Sequence, residues 1–238
     1  MNFYKDVIEH RGNLLVRGIH EGKEFKEKIN FKPTLFSITQ KNTGHTNLQG
    51  QNLKPITFNS IPKAREFKRN YQNSNSALYG NERYHFQYIA EEYPGDIQYD
   101  KNLIKIFTLD IEVTAEKGFP DVENPIEEIL CLTIKNQSNK NIITWGTKPY
   151  FSKRADVTYI ECQNEKQLLM EFFKFWTKNY PDIITGWNTK FFDLPYLCNR
   201  IKLLVGDKVI NKLSPWGLID SEQITVRGQT QTAYDIKG

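Results

Sequence analysis

An apolar strand interrupted by two acids constrains the fold of this chain more than any other feature. Residues 104–113 read IKIFTLDIEV, which is typical of a strand buried in the middle of a sheet. Because strand side chains alternate, Leu109 and Ile111 share one face while Asp110 and Glu112 share the other. Two carboxylates side by side on a buried strand repel each other and are poorly hydrated unless a divalent cation binds them. The alternative is an edge strand with one solvated face.

A third acid occupies the junction between a later strand and helix. Asp193 follows the apolar segment 182–187 and comes directly before a helix predicted at 194–205. This position is also typical of a helix N-cap, and the two roles are compatible. Ligands of α/β sheets gather at the carboxyl ends of strands, where Asp110, Glu112 and Asp193 are all expected to lie.

Hydrophobic periodicity predicts two domains, divided near residue 100. The first is predicted to contain strands at 2–7, 13–18, 25–31 and 83–90, a helix at 60–71 and a loop at 72–76. The second is predicted to contain the strand IKIFTLDIEV within 101–113, strands at 126–135, 141–146 and 182–187, helices at 165–178 and 194–205, and a hairpin at 223–238. Asn164 and Gln167 form a predicted capping pair for the helix at 165–178. This order predicts a mixed α/β (α+β) sheet with flanking helices, preceded by a smaller, mostly β domain.

Composition narrows the class of protein without identifying a function. The net charge of +4 is compatible with a nucleic-acid partner but does not require one. Aromatic residues make up 13% of the chain, which indicates either well-filled cores or a stacking surface for bases. No apolar run approaches the roughly 20 residues that span a bilayer. Three widely spaced cysteines predict free thiols and a cytoplasmic location.

The acidic motifs resemble those of family B DNA polymerases of the T-even-like bacteriophage type. The DIE strand followed by Gly118-Phe119-Pro120 is similar to motif Exo I of their proofreading domain, and NTKFFD at 188–193 is similar to motif Exo II. The segments FYKDVIEHRGNLLVRGI, FKPTLF and YHFQYIAEEYPGDIQYD resemble the N-terminal domain of the same polymerases. The likeness spans essentially the whole chain, and the two motifs are jointly specific although neither would be alone.

This resemblance implies an RNase H-like 3′→5′ exonuclease of the DEDD class at 101–238, preceded at 1–100 by an incomplete polymerase N-terminal domain. Asp110 and Glu112 match the Exo I acids, and Asp193 matches the Exo II acid. With two Mg²⁺ or Mn²⁺ ions, these acids would release nucleoside 5′-monophosphates from a single strand or a frayed primer–template end. A viral protein of this family would work in the cytoplasm of its bacterial host.

The resemblance also implies residues that contact DNA. Phe119 matches an aromatic residue near the 3′ end of the unpaired strand, and Asn188 and Phe192 match the Asn and the aromatic residue of motif Exo II. Arg227 lies in a predicted hairpin similar to the one that helps separate primer from template. Local packing is the alternative for Phe119 in its turn, and an ordinary core position is the alternative for Phe192.

One part of the family pattern is missing. The third acidic motif, a Tyr followed a few residues later by a fourth Asp, is expected beyond residue 238, and Tyr234-Asp235 is the only comparable text. We therefore expect weak or no hydrolysis from this chain alone. The expected partners are DNA, the remaining polymerase part as a separate chain, and a sliding clamp reached through that part; no membrane is expected.

Two other functions are compatible with the sequence. A non-catalytic module could bind single-stranded nucleic acid through the basic helix at 60–71, whose candidate contacts are Lys63, Arg65, Lys68 and Arg69. A solvated helix face is the alternative explanation of these residues. The chain could also be the structural half of a split polymerase, which predicts neither tight binding nor cleavage.

Overall fold

Each half of the chain builds its own hydrophobic core. The computed structural model describes residues 2–71, 77–116, 118–226 and 228–238. The chain divides into two units, Met1–Tyr99 and Asp100–Gly238. The loop predicted at 72–76 and the hairpin residue Arg227 lie outside the described residues. Mixed sheets and helices make up the described chain, so the predicted α/β fold class is confirmed.

A three-stranded antiparallel sheet opens the first unit. Its strands, in the order β1-β2-β3, are β1 (Phe3–His10), β2 (Asn13–His20) and β3 (Lys23–Ile29). Arg11 and Gly12 join β1 to β2 with φ values of 48° and 75°. A two-residue hairpin turn with both φ values positive matches the twist of its strands. A Cβ on Gly12 would also lie 2.6 Å from Cγ of Pro62, so only glycine fits there.

A second small sheet and two helices complete this unit. They are β4 (Thr34–Ile38), β5 (Leu53–Thr57), α1 (Ile61–Tyr71), β6 (Leu78–Tyr79) and α2 (Tyr84–Glu92), with the strand order β5-β4-β6. The strand predicted at 83–90 is therefore wrong. Tyr84 and Tyr88 are four residues apart and both buried, and Tyr88 packs edge-on against Phe31. Helical spacing of the buried residues outweighs the preference of aromatic side chains for strands.

A five-stranded mixed sheet organises the second unit. The elements are β7 (Ile106–Val113), β8 (Ile129–Asn136), β9 (Ile142–Gly146), β10 (Val157–Glu161), α3 (Glu165–Trp176), β11 (Ile183–Thr185), α4 (Asp193–Val205), β12 (Ile219–Val226) and β13 (Gln229–Ile236). The first five strands make the sheet β10-β9-β8-β7-β11, and β12 and β13 form a separate hairpin. Strand β7 is antiparallel to β8 and parallel to β11, so β7 and β11 end at the same edge.

Helices α3 and α4 bury one face of this sheet. The shared core includes Leu109 and Ile111 of β7, Phe172 of α3 and Leu197 of α4. The predicted cap of α3 is confirmed, because Asn164 Oδ1 accepts from the backbone N–H of Gln167 at 3.0 Å. All three cysteines are free, as predicted. No helix of the described residues is long and apolar enough to cross a membrane.

Candidate active site

Asp110 and Glu112 lie on the face of β7 that is turned away from the core. Leu109 and Ile111 are buried and both acids are exposed, so the predicted alternation is confirmed. The strand is also central, since β8 and β11 pair with its two edges. The prediction that the two carboxylates are poorly hydrated is wrong, because a central strand of this sheet still has one exposed face. Neither acid forms an ion pair or side-chain hydrogen bond with another described residue.

The loop after β11 brings Asp193 to the same strand. Strand β11 pairs with β7 only as far as Thr108, which leaves the next backbone groups of β7 without a strand partner. Side chains take over there: Thr189 Oγ1 donates to the carbonyl of Leu109 at 3.4 Å, and Asp193 Oδ1 accepts from the N–H of Ile111 at 3.0 Å. Two side chains of the loop therefore continue the hydrogen bonding of the sheet.

Gly186 permits this close approach. A Cβ at that position would lie 2.0 Å from Oγ1 of Thr189 and 2.6 Å from the backbone oxygen of Leu109. A few residues on, Asn188 has a φ of 57°, a conformation that asparagine tolerates better than most residues. Its carbonyl accepts from the N–H groups of Phe191 and Phe192, each at 2.9 Å. Asn188 therefore makes the turn that leads into α4.

Asp193 is buried in the neighbourhood of the two β7 acids. The N-cap interpretation of Asp193 is wrong: the cap residue is Phe192, without a side-chain cap bond, and the Asp193 carboxylate bonds to β7 instead. Only 3% of Asp193 is exposed. Burial raises the pKa of Asp193, the Ile111 N–H partly opposes this, and the nearby Asp110 and Glu112 carboxylates raise it further. The fold therefore brings the three predicted acids close enough that the charges of Asp110 and Glu112 act on Asp193.

The three carboxylates are the type of ligand that a hard divalent cation prefers, but they do not surround a common point in this structure. Carboxylate oxygens are the donors that Mg²⁺ and Mn²⁺ prefer. The repulsion that raises the pKa of Asp193 is also relieved by a cation. Among the described residues, however, no group of three or more His, Cys, Asp or Glu side chains is close enough to hold a metal ion. The metal-ligand roles of Asp110, Glu112 and Asp193 stay predictions.

Two of the predicted DNA-contact residues meet beside this site. The rings of Phe119 and Phe192 are 5.0 Å apart, and Phe192 also packs on Tyr196 at 5.7 Å. Phe192 is half-buried against the core, as its alternative interpretation predicts. Phe119 is 82% exposed, so most of its ring is open to a ligand. A direct role in binding DNA stays a prediction for both.

The loop that carries Phe119 is held by a row of polar side chains on α4. Tyr196 donates to the carbonyl of Glu127 at 2.7 Å, and Asn199 donates to that of Val122 at 2.8 Å. The next residue, Arg200, donates to two further loop carbonyls and forms a buried, two-pronged ion pair with Glu165. Sequence reasoning missed these residues, because a polar row on a helix resembles an ordinary solvated face.

Tyr234 and Asp235 make contacts within the second unit. The hydroxyl of Tyr234 donates to Oδ1 of Asn199 and accepts from Lys202, so it joins β13 to α4. Its neighbour Asp235 pairs with Lys237. Both side chains are engaged in these contacts, and whether Tyr234-Asp235 serves as the third acidic motif stays a prediction.

The basic helix of the first unit is largely neutralised. Lys63 pairs with Glu66, Arg65 with Glu9 and Lys68 with Glu82. Arg69 forms no ion pair within the described residues. Cations that are already paired have less to gain from a phosphate, so the arrangement favours the solvated-face explanation over a phosphate-binding site.

Comparison with known proteins identifies the class to which this fold and acid set belong. Residues 51–238 match the family described as DNA polymerase family B, exonuclease domain. The chain therefore belongs to DNA polymerase family B and contains its exonuclease domain, whose mixed sheet is of the RNase H-like type.

Phage and eukaryotic polymerases are among its relatives. The DNA-directed DNA polymerase of Enterobacteria phage T4 is 27% identical over 99% of this chain, and that of Escherichia phage RB69 is 28% identical over 90%. These matches cover 29% and 27% of the phage proteins, so the chain spans less than a third of their length. The DNA polymerase delta catalytic subunit of Candida albicans is 36% identical over 42% of the chain and 10% of its own length.

Proposed function

We propose that this chain is the exonuclease-bearing part of a replicative family B DNA polymerase and removes mispaired 3′-terminal nucleotides. The observation that carries the proposal is the hydrogen bond between Asp193 and the N–H of Ile111, 82 positions apart. It fixes Asp193 beside the strand that presents Asp110 and Glu112. Family membership and the phage relatives support the same activity.

The residues of the chain divide the work between holding ions and holding DNA. Asp110 and Glu112 are exposed and have no ion-pair partner among the described residues, so they are the ligands most ready to bind Mg²⁺ or Mn²⁺. Such a pair of ions would activate a water molecule and stabilise the leaving 3′ oxygen. Asp193, held by its hydrogen bond to β7, would be the third acid of the site. Phe119 would cover the terminal base with its exposed ring.

We expect slow hydrolysis from the 238-residue chain. The described acids are not gathered into a ready-made metal site, so side chains must move when ions bind. The relatives are more than three times as long as their match to this chain. We place the remaining polymerase domains, on the same or a separate polypeptide, among its partners, together with a sliding clamp bound through them.

A shortening assay tests the proposal. A 5′-labelled single-stranded oligonucleotide incubated with the chain and Mn²⁺ should shorten from its 3′ end and release nucleoside 5′-monophosphates. Asp110→Asn should slow this by on the order of a hundredfold or more, because a lost ion ligand removes several kcal/mol of charge stabilisation. The exposed Asp207 provides a matched control, and Asp207→Asn should digest at the wild-type rate. Equal rates for Asp110→Asn and the wild type would rule the proposal out.

A further inference from the structure

The exposed face of the five-stranded sheet connects the acids to a cluster of aromatic side chains. Cross-strand pairing places Asp110 beside Thr133, Thr133 beside Thr144, and Thr144 beside Tyr159. Residues paired in this way share one face of a sheet. The Thr133 and Thr144 hydroxyls are hydrogen-bonded at 2.9 Å, which confirms that their side chains meet. The row crosses three strand spacings, or roughly 14 Å.

Tyr159 fixes the far end of this row. Its ring lies over Gly146, where a Cβ would be 2.0 Å from the phenolic oxygen. The hydroxyl of Tyr159 donates to the carbonyl of Lys148, which fastens the loop 147–156 to the sheet. Tyr150 of that loop packs edge-on against Tyr159 with ring centroids 5.3 Å apart.

The loop presents aromatic and cationic side chains together. Phe151 is 84% exposed and Tyr150 is 63% exposed. Lys148 and Lys153 are exposed on either side of them and form no ion pair within the described residues. Arg154 is engaged by both oxygens of Asp156, which stiffens the loop. We call the group formed by the following residues the aromatic surface: Lys148, Tyr150, Phe151, Lys153 and Tyr159.

We propose that the aromatic surface binds the single-stranded DNA that leads to the 3′ end held at Asp110 and Glu112. The inference rests on the proposed function and assigns the path of the strand. Exposed rings offer stacking faces to any base, and unpaired lysines attract phosphates. At about 3.4 Å per stacked nucleotide, the row of roughly 14 Å corresponds to about four nucleotides. The 3′-terminal nucleotide would bind at Asp110 and Glu112, and the base about four nucleotides upstream would stack on Phe151.

A length series tests this path. The affinity of the wild-type chain for 5′-fluorescein oligo(dT) of 4, 8 and 12 nucleotides is measured by anisotropy in Mg²⁺, with phosphorothioate linkages at the 3′ end so that no strand is cut. We expect affinity to rise by roughly tenfold between the shortest and longest strands, since stacking of one base contributes about that much. Phe151→Ala should remove the rise and leave the 4-mer unchanged.

Two matched substitutions separate stacking from general apolar contact. Phe151→Leu keeps an apolar side chain and should bind like Phe151→Ala, whereas Phe151→Trp should keep the rise. Phe86, an exposed phenylalanine of the first unit, provides a control, and Phe86→Ala should bind like the wild type. Replacing Lys148 or Lys153 by Gln should lower the salt dependence of binding by about 0.7 in the logarithmic slope.

The outcomes that overturn this inference are independent of hydrolysis. A wild-type chain that binds all three strands equally, or a Phe151→Ala chain that keeps the full rise, contradicts it. If DNA binding is unchanged and the variant instead loses binding to another polypeptide, the surface is a protein interface and the inference is also wrong. Failure of the proposed function would be seen separately, as equal digestion by wild-type and Asp110→Asn chains.

Discussion

The two buried charged side chains of helix α4 lie two turns apart and have opposite surroundings. Arg200 is surrounded by acceptors: both oxygens of Glu165 and the carbonyls of Pro125 and Ile126. Asp193 has one donor on β7, and its pKa is raised by burial and further by two nearby acids. A buried charge whose partners are complete holds a fold together. A buried charge close to like charges weakens the fold, and this contrast is what supports the proposed role of Asp193 in binding a cation.

The largest effect on stability should come from replacing Arg200, whose buried charge is fully paired. Arg200→Ala leaves the buried Glu165 carboxylate without its cation, and we expect the free energy of unfolding to fall by about 3–5 kcal/mol. Denaturant titration followed by tryptophan fluorescence measures this, since Trp176 of α3 lies in the same core. Lys174→Ala, which removes an exposed ion pair with Glu171, is the control and should cost less than about 1 kcal/mol. Equal losses for the two variants would show that Arg200 is no more important than a surface pair.

A smaller effect on stability, of opposite sign, should come from replacing Asp193. Because burial raises the folded pKa of Asp193 above its unfolded value of about 3.9, its contribution to stability is complete below that pH and is lost as pH rises through the folded pKa. Asp193→Asn removes the charge and keeps an oxygen for Ile111. The variant should therefore melt above the wild type at pH 7, by about 2–4 °C for each kcal/mol regained.

The pH dependence of melting separates this cause from a general change in packing. The difference in Tm between Asp193→Asn and the wild type should shrink as the pH falls and disappear at about pH 3, where Asp193 is protonated in both states. Glu165→Gln provides the contrasting case, because it weakens a completed pair and should lower Tm at pH 7. A constant difference in Tm for Asp193→Asn at all pH values would contradict the electrostatic explanation.

The smallest effect should come from the basic helix of the first unit. Arg65 and Lys68 are already paired with carboxylates, so replacing either by Ala should change the affinity for single-stranded DNA by less than about threefold. Anisotropy at several salt concentrations measures both the affinity and the number of phosphate contacts. A tenfold loss with a shallower salt dependence would contradict this and favour the nucleic-acid-binding module over the exonuclease.

Periodicity in the sequence predicted the elements that position the acids. The alternation of β7, the helix α3 and the cap at Asn164 follow from local patterns, and each is confirmed. The orientation of Asp193 was not predictable, because a residue that begins a helix looks like a cap until the pairing of β7 with β11 is known. The aromatic surface also escaped prediction, since its continuity with Asp110 depends on the register of four strands. The helix at Tyr84 is not predicted, because the aromatic residues of this segment favour a strand although its buried residues are spaced as in a helix.

The hydrogen bond between Asp193 and Ile111 ties the chemistry of the chain to its architecture. The acid belongs to the sheet as well as to the site, because it replaces the strand partner that β11 is too short to supply. Loss of the carboxylate to an apolar residue would leave a main-chain donor stranded in the interior. Position 193 is therefore constrained to retain an oxygen even where its charge has no use, and asparagine is the substitution that keeps one with the least change.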